Sequence, residues 1–256
     1  MKRHILFICF FVAAYTCGIS QNLVPNGSFE CYSTCPDQYD QVSYAKQWNS
    51  PVLHNGSWPD YHNSCDLYNG MGFPLNGNTG DSARTGAGCM GFMFWQNYDP
   101  ASREYLQAKL LQPLQNGKCY QLTFYVKLYV ALNMGIDRIG AHFSTAAISS
   151  ASQNLYGYIP QVQNTPGVPI SSTTTWTQIS GSFVATGGED YITIGNFYND
   201  ASTTTDGTPS GWYSHYYIDD ICLIECGNSC TPTIAGVASV CSGSAASLSA
   251  TPGGTT

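Results

Sequence analysis

The chain has 256 residues, 43% of them hydrophobic, 13% aromatic and only 10% charged, with 16 acidic side chains against 9 basic ones. So acidic a chain excludes non-specific nucleic-acid binding, which needs clustered Lys and Arg to displace counterions. Scarce charge with many Tyr, Thr, Ser, Asn and Gly argues for an extracellular β-protein and against a helical one, which would want Ala, Leu, Glu and Lys.

Residues 1–20 read as a secretory signal peptide. Lys2 and Arg3 form a basic start, Ile5 to Ala14 is apolar but too short to span a bilayer, and the small Gly18 and Ser20 precede a cut before Gln21. Cys17 leaves a lipoprotein alternative, for which Tyr15-Thr16 make a poor lipobox. No later stretch reads as a membrane helix, so a secreted or cell-surface location is expected. Loss of the signal leaves 7 basic and 16 acidic residues, a net charge of −9. Nine cysteines also remain: Cys31, Cys35, Cys65, Cys89, Cys119, Cys222, Cys226, Cys230 and Cys241. Disulfides are the default for an exported chain, and an odd number leaves at least one outside internal pairs. Zinc is the alternative, but the spacing is loose and lacks CxxC or HxxxH.

Period-two alternation then predicts strands at Leu23–Glu30, Ala45–Pro51, Cys89–Trp95, Glu104–Leu111, Lys118–Leu128, Arg138–Ser144, Thr174–Thr186, Tyr191–Tyr198 and Tyr216–Ile224. Ala146–Leu155 reads as a short helix or a loop. Turn clusters such as PNGS, QNGK and ATGGED separate the strands, and the pattern fits an all-β, two-sheet antiparallel sandwich or jelly roll over 21–226. Residues 227–232 read as a linker. Residues 233–256, rich in Ala, Ser and Gly, read as the truncated start of an immunoglobulin-like or PKD-like domain, or as a tail.

The segments NLVPNGSFE, LQAKLLQPLQNGKCYQLTFYV, TTTWTQISGSFVATGGEDYITIGNF and YYIDDICLI, with Trp48 after the first, resemble the galactose-binding-like jelly-roll modules. These include carbohydrate-binding modules of xylanases. WPDYHNSC, SREYLQAKL and GIDRIGAHFS are similar to the N-terminal module of gliding-motility-associated surface proteins exported by type IX secretion. The resemblance implies a structural calcium held by Glu30 and Asp219, tying the two chain ends together. Calcium wants six to eight oxygens, which carboxylates and backbone carbonyls can supply. Capping of both carboxylates by backbone N–H groups is the alternative, and Asp220 is the weaker candidate because alternation turns it to the other face. If the end strands are neighbours, Cys31–Cys222 or Cys119–Cys226 bridges are possible, and Cys35–Cys65 is another natural pair.

No GxSxG or HExxH motif is present. His54, His62, His142 and His215 are scattered singly, and no cue pairs any two of Asp60, Asp99, Glu104, Asp137 and Glu189 as a glycosidase would require. A polysaccharide or glycoconjugate ligand suits the aromatics better, since a sugar's apolar face stacks on exposed rings. Turn-adjacent Trp58, Tyr61, Tyr68, Trp95, Tyr98, Trp212, Tyr213 and His215 are the pool, and Trp95, Tyr98, Trp212 and Tyr213 are the binding candidates. Trp48 and Trp176 read as core. Arg103 is a further candidate contact to the ligand, with an ion pair at the start of a strand as the alternative. The expected role is thus a non-catalytic carbohydrate-binding or adhesive module, with a spacer or a hydrolase domain as rivals.

Overall fold

A computed structural model describes residues 21–228 apart from 53–58, 68–69, 74–81, 98, 100–101, 131–133, 153 and 208–211. The expected signal peptide, most of the linker, the expected second domain, Tyr98, Cys230 and Cys241 lie outside the described residues. The strands are β1 Trp48–Asn49, β2 Asp60–Asn63, β3 Gly88–Gln96, β4 Leu106–Lys109, β5 Cys119–Leu128, β6 Gly140–Ser144, β7 Val162–Gln163, β8 Thr177–Val184, β9 Tyr191–Gly195 and β10 Tyr213–Glu225. They form two antiparallel five-stranded sheets, ordered β1-β4-β9-β6-β7 and β2-β3-β10-β5-β8. From β3 onward the chain crosses between the sheets at almost every connection, which is jelly-roll winding. No helix among the described residues is long and apolar enough to cross a membrane.

Alternation builds the core. Tyr120, Leu122, Phe124, Val126 and Leu128 of β5 are buried between the sheets, and Ala141, Phe143, Ile192 and Ile194 face them from β6 and β9. Phe143 stacks on Phe183 of β8 at 4.6 Å. Each large apolar side chain so buried contributes about 1.5–3 kcal/mol of transfer free energy.

One predicted strand is not formed. Leu23–Glu30 is not a strand, because Asn26 and Phe29 adopt positive φ values of 47° and 59° and break the extended path. The segment nevertheless docks on β10 as the paired-ends expectation required. Leu23 N–H donates to Leu223 O at 2.8 Å, Ile221 N–H donates to Gly27 O at 2.9 Å, and Asn22 bonds both Ile221 O and Leu223 N–H. A Cβ on Gly27 would lie 2.1 Å from Ile221 O, so only glycine allows that approach. Ala146–Leu155 is a loop, and β2 and β7 are additional short strands.

The disulfides Cys35–Cys65 and Cys119–Cys226 match the expected pairs. Cys31 and Cys222 are also disulfide-bonded, and buried Cys89 lies outside the two named bridges. The Cys119–Cys226 link, with a sequence separation of 107, ties the end of β10 to the start of β5. A loop that long removes about 4–5 kcal/mol worth of unfolded-chain entropy.

Candidate functional site

The segment Arg84–Gly88 explains the acidic residues at the chain ends. Asp219 is fully buried in β10. Its Oδ2 accepts from the N–H groups of Arg84 (2.8 Å) and Thr85 (3.2 Å), and its Oδ1 from Asp220 N–H (2.7 Å). Two residues further on, the N–H groups of Ala87 and Gly88 both donate to Glu30 Oε1 at 2.9 Å. Gly86, between them, has φ +64°, and a Cβ there would fall 2.3 Å from Glu30 Oε1. Both carboxylates are therefore capped by one stretch of backbone.

Asp220 does not turn away to the other face as alternation predicts. Three steps of β10 from Asp219 to Cys222 match two steps of β5, from Tyr125 to Thr123, so β10 carries an extra residue here. With φ at 52°, Asp220 reaches the Arg84 guanidinium and the Thr85 hydroxyl instead. The guanidinium lies 3.5 Å from the centre of the Tyr125 ring. Burial pushes the Asp219 carboxyl well above the usual range, and the Asp220 charge adds to that against the pull of the three N–H groups. Burial likewise raises Glu30. Among the described residues no three His, Cys, Asp or Glu side chains converge as a metal cluster.

A second constellation crosses the outer face of the β2-β3-β10-β5-β8 sheet. Asp60 of β2 pairs with Gly91 of β3, Gly91 with Tyr217 of β10, and Tyr217 with Lys127 of β5. Trp176 continues the row beyond the Val126–Thr177 pair. Five strands at about 4.8 Å spacing make this row about 19 Å long. Gly91, itself buried, is the one position of the row without a side chain. A Cβ there would sit 3.0 Å from His215 Cε1 and 3.0 Å from His62 Nε2, so the two imidazoles flank the gap.

His215 Nε2 lies 3.6 Å from Asp60 Oδ2, and Asp60 Oδ1 accepts from Asp40 N–H at 2.8 Å. Tyr129 meets His215 and Tyr217 edge-on at 5.6 and 5.8 Å. The Lys127 ammonium lies 5.2 Å from the Trp176 ring and 5.6 Å from that of Tyr217, within cation–π range. His62, Lys127 and Tyr217 are buried, whereas Asp60, Met93, Tyr129, Trp176 and His215 are half-buried. Such a face offers ring edges and faces, two imidazoles and a carboxylate to a hydroxyl-rich ligand.

The sequence-derived candidates divide. Trp212 is 52% exposed, and Tyr213 alternates with His215 and Tyr217 along one face of β10. Trp95 is in the main core at 7% exposure. Its partner Ser214 is adjacent to His215, whose partner is Met93, so β3 holds an extra residue that turns Trp95 inward. Arg103 is buried, ion-paired to Asp200 and bonded to Ser102 O at 2.9 Å. Tyr61 is also core, its hydroxyl donating to Phe29 O at 2.8 Å, and Trp176 lies on the outer face rather than in the core.

Three of the five candidate catalytic carboxylates serve the backbone. Glu104 accepts from Met93 N–H, Asp137 from Gly167 and Thr204 N–H, and Glu189 from Thr186 and Gly187 N–H. Burial raises Glu189, but the Thr186 hydroxyl and these amides outweigh it and hold the carboxyl below its usual range. The residues missed from sequence are Gly91, Lys127, Tyr129 and Tyr217. Their signal was a strand with rings on both faces, YSHYY, opposite VKLY.

No protein-family model matches the chain, and no curated protein does. Solved structures align over most of it. A xylan-binding domain from Paenibacillus barcinonensis is 11% identical, with TM-score 0.40, covering 80% of this chain and 95% of that one. An adhesin domain of Lys-gingipain from Porphyromonas gingivalis is 16% identical, with TM-score 0.40, covering 77% and 94%. A carbohydrate-binding module in complex with galactotriose is 14% identical, with TM-score 0.37, covering 80% and 99%.

Proposed function

We propose that this domain is a non-catalytic carbohydrate-binding or adhesive module of an exported, multidomain surface protein, and that it meets its glycan on the outer face of the β2-β3-β10-β5-β8 sheet. The observation that carries the reading is Gly91 between two imidazoles, with Tyr129 and His215 half-buried beside it and Trp176 half-buried at the far end of the same row. Trp212 and Tyr213 extend the face at the start of β10. Rings take the apolar side of a sugar, and His215 and Asp60 take its hydroxyls. The test is a polysaccharide pull-down with the parent, His215→Ala and Trp212→Ala. Saturable binding, weakened about tenfold by His215→Ala, supports the reading. A folded parent that retains no glycan overturns it and favours a spacer, to which the burial of His62, Lys127 and Tyr217 would then belong.

The donor chemistry of the Glu30–Asp219 region also fits a hard divalent cation. Asp220 pairs with the Arg84 guanidinium, and burial makes the charge of Glu30 and Asp219 costly. We propose that calcium, held by Glu30 and Asp219 with backbone carbonyls, offsets that cost. Calcium should then raise the melting temperature of the parent and not that of Glu30→Gln. Equal melting of the parent in calcium and in chelator would remove the metal and leave backbone capping as the whole account.

A further inference from the structure

We propose that Tyr39 is a further binding residue of the outer face, its ring forming a wall at the β2 end of the row that holds Asp60, Gly91 and Trp176. The inference rests on the proposed glycan reading and adds to that site a residue from outside its five strands. Residues 33–44 make a compact loop of the kind whose ends meet. Ser33 N–H donates to Tyr44 O at 2.9 Å and closes it. Gln41 holds its inside: Oε1 accepts from the N–H groups of Asp37 (2.9 Å) and Gln38 (3.2 Å), and Nε2 donates to Asp37 Oδ1 at 2.6 Å. Tyr39 stands near the middle of the loop and is 68% exposed, more than any other Tyr, Trp or Phe among the described residues.

Two ties fix this loop beside the site. Cys35, near its start, is bridged to Cys65, which follows the end of β2. Asp40 takes a φ of 64°, and its N–H donates to Asp60 Oδ1 at 2.8 Å. The other oxygen of that carboxylate lies 3.6 Å from His215 Nε2. The donating N–H belongs to the peptide that follows Tyr39, so Tyr39 Cα lies no more than about 5 Å from Asp60 Oδ1. Asp60 is on the outer face, because Tyr61 next to it is in the core.

A ring so exposed adds little to the stability of the fold, yet a disulfide, a side-chain clamp and a backbone bond hold its loop in place. Such an arrangement serves binding. The loop is ordered when the chain folds, so a ligand that stacks on the ring does not have to order it. Tyrosine suits the task, with a large rigid surface and few rotatable bonds. The apolar side of a sugar takes the ring, while Asp60 and His215 beside it take hydroxyls. With Tyr39 beyond Asp60, the row of about 19 Å has a ring at both ends, Tyr39 and Trp176, which suits a chain of sugars rather than a single one.

The experiment is calorimetric titration of the polysaccharide that the parent retains into the full chain without its signal. The parent, Tyr39→Ala, Tyr39→Phe and His215→Ala are compared, with melting curves to confirm folding. Tyr39→Ala should weaken binding about three- to tenfold, the range of one aromatic contact, with melting unchanged. Tyr39→Phe keeps the ring and should bind like the parent, and the constituent monosaccharide should compete poorly. Three results overturn the proposal: Tyr39→Ala binding like the parent, Tyr39→Phe binding as weakly as Tyr39→Ala, or a monosaccharide competing as well as the polymer. If His215→Ala still weakens binding in that series, the proposed function stands without Tyr39. A folded parent that retains no polysaccharide overturns both.

Discussion

Both sheets carry a glycine in the middle of their outer face, and the two are used differently. On the β1-β4-β9-β6-β7 sheet, Tyr105 lies directly over Gly195, its ring 2.2 Å from where a Cβ would be. Its hydroxyl donates to Asn196 O and accepts from Leu155 N–H. Gln107 exchanges hydrogen bonds with Ile148, and Val52, Ile148, Leu155 and Phe197 close a small second core around the ring. On the other sheet Gly91 lies between the buried imidazole of His62 and the half-buried one of His215, with Tyr217 buried and Asp60 and Tyr129 half-buried around it. The first gap is filled and covered by the protein itself, so its work is stability. The second has a small cluster of its own, Ala83, Cys89 and Tyr217, but keeps Asp60 and His215 half-buried beside it, and this is what favours it as the proposed site.

That contrast breaks first if the filled face tolerates loss of its plug. Tyr105→Ala should cost about 3–5 kcal/mol, as other large-to-small core changes do, measured by urea unfolding, with no loss of glycan binding per folded molecule. Gly91→Val should show the opposite split. It fills the floor, pushes on His62 and His215, and should cost at least about tenfold in glycan affinity with a stability change of about 1–2 kcal/mol. Trp212→Ala should change stability least, by under about 0.5 kcal/mol, because the ring is exposed.

The carboxylate region predicts a pH effect between these. Folded Asp219 keeps its proton to a higher pH than the unfolded chain does, since burial raises it from an ordinary 3.8. The native state then binds more protons across that window, so stability is greatest below it and falls as pH rises through it. Glu30 acts in the same direction. Melting in chelator at pH 4.5, 5.5 and 6.5 should show this fall, and Asp219→Asn should flatten it.

The fold was legible where alternation was regular. β5 and β9 appear within three residues of their predicted ends, and the docking of the N-terminal segment on β10 followed from the acidic residues there. Two disulfides were also legible. The failures have local causes. Asn26 and Phe29 take positive φ in a stretch that reads as continuous strand, and DYHN has no apolar alternation to announce β2. Extra residues in β3 and β10 shift the phase of every side chain beyond them, which turns Trp95 inward and brings Asp220 back over Arg84. The candidate face was less legible than the fold. Its members come from five strands, and Gly91 matters through what it lacks.

The central claim is that the gap at Gly91 is the glycan-binding floor. The most direct measurement is a glycan-array screen of the parent followed by calorimetric titration of the retained glycan into the parent and Gly91→Val, with circular dichroism confirming that both are folded. Binding by the parent that falls at least about tenfold in the variant is the predicted result. Equal affinity of the two folded proteins would contradict it and move the ligand elsewhere on the molecule.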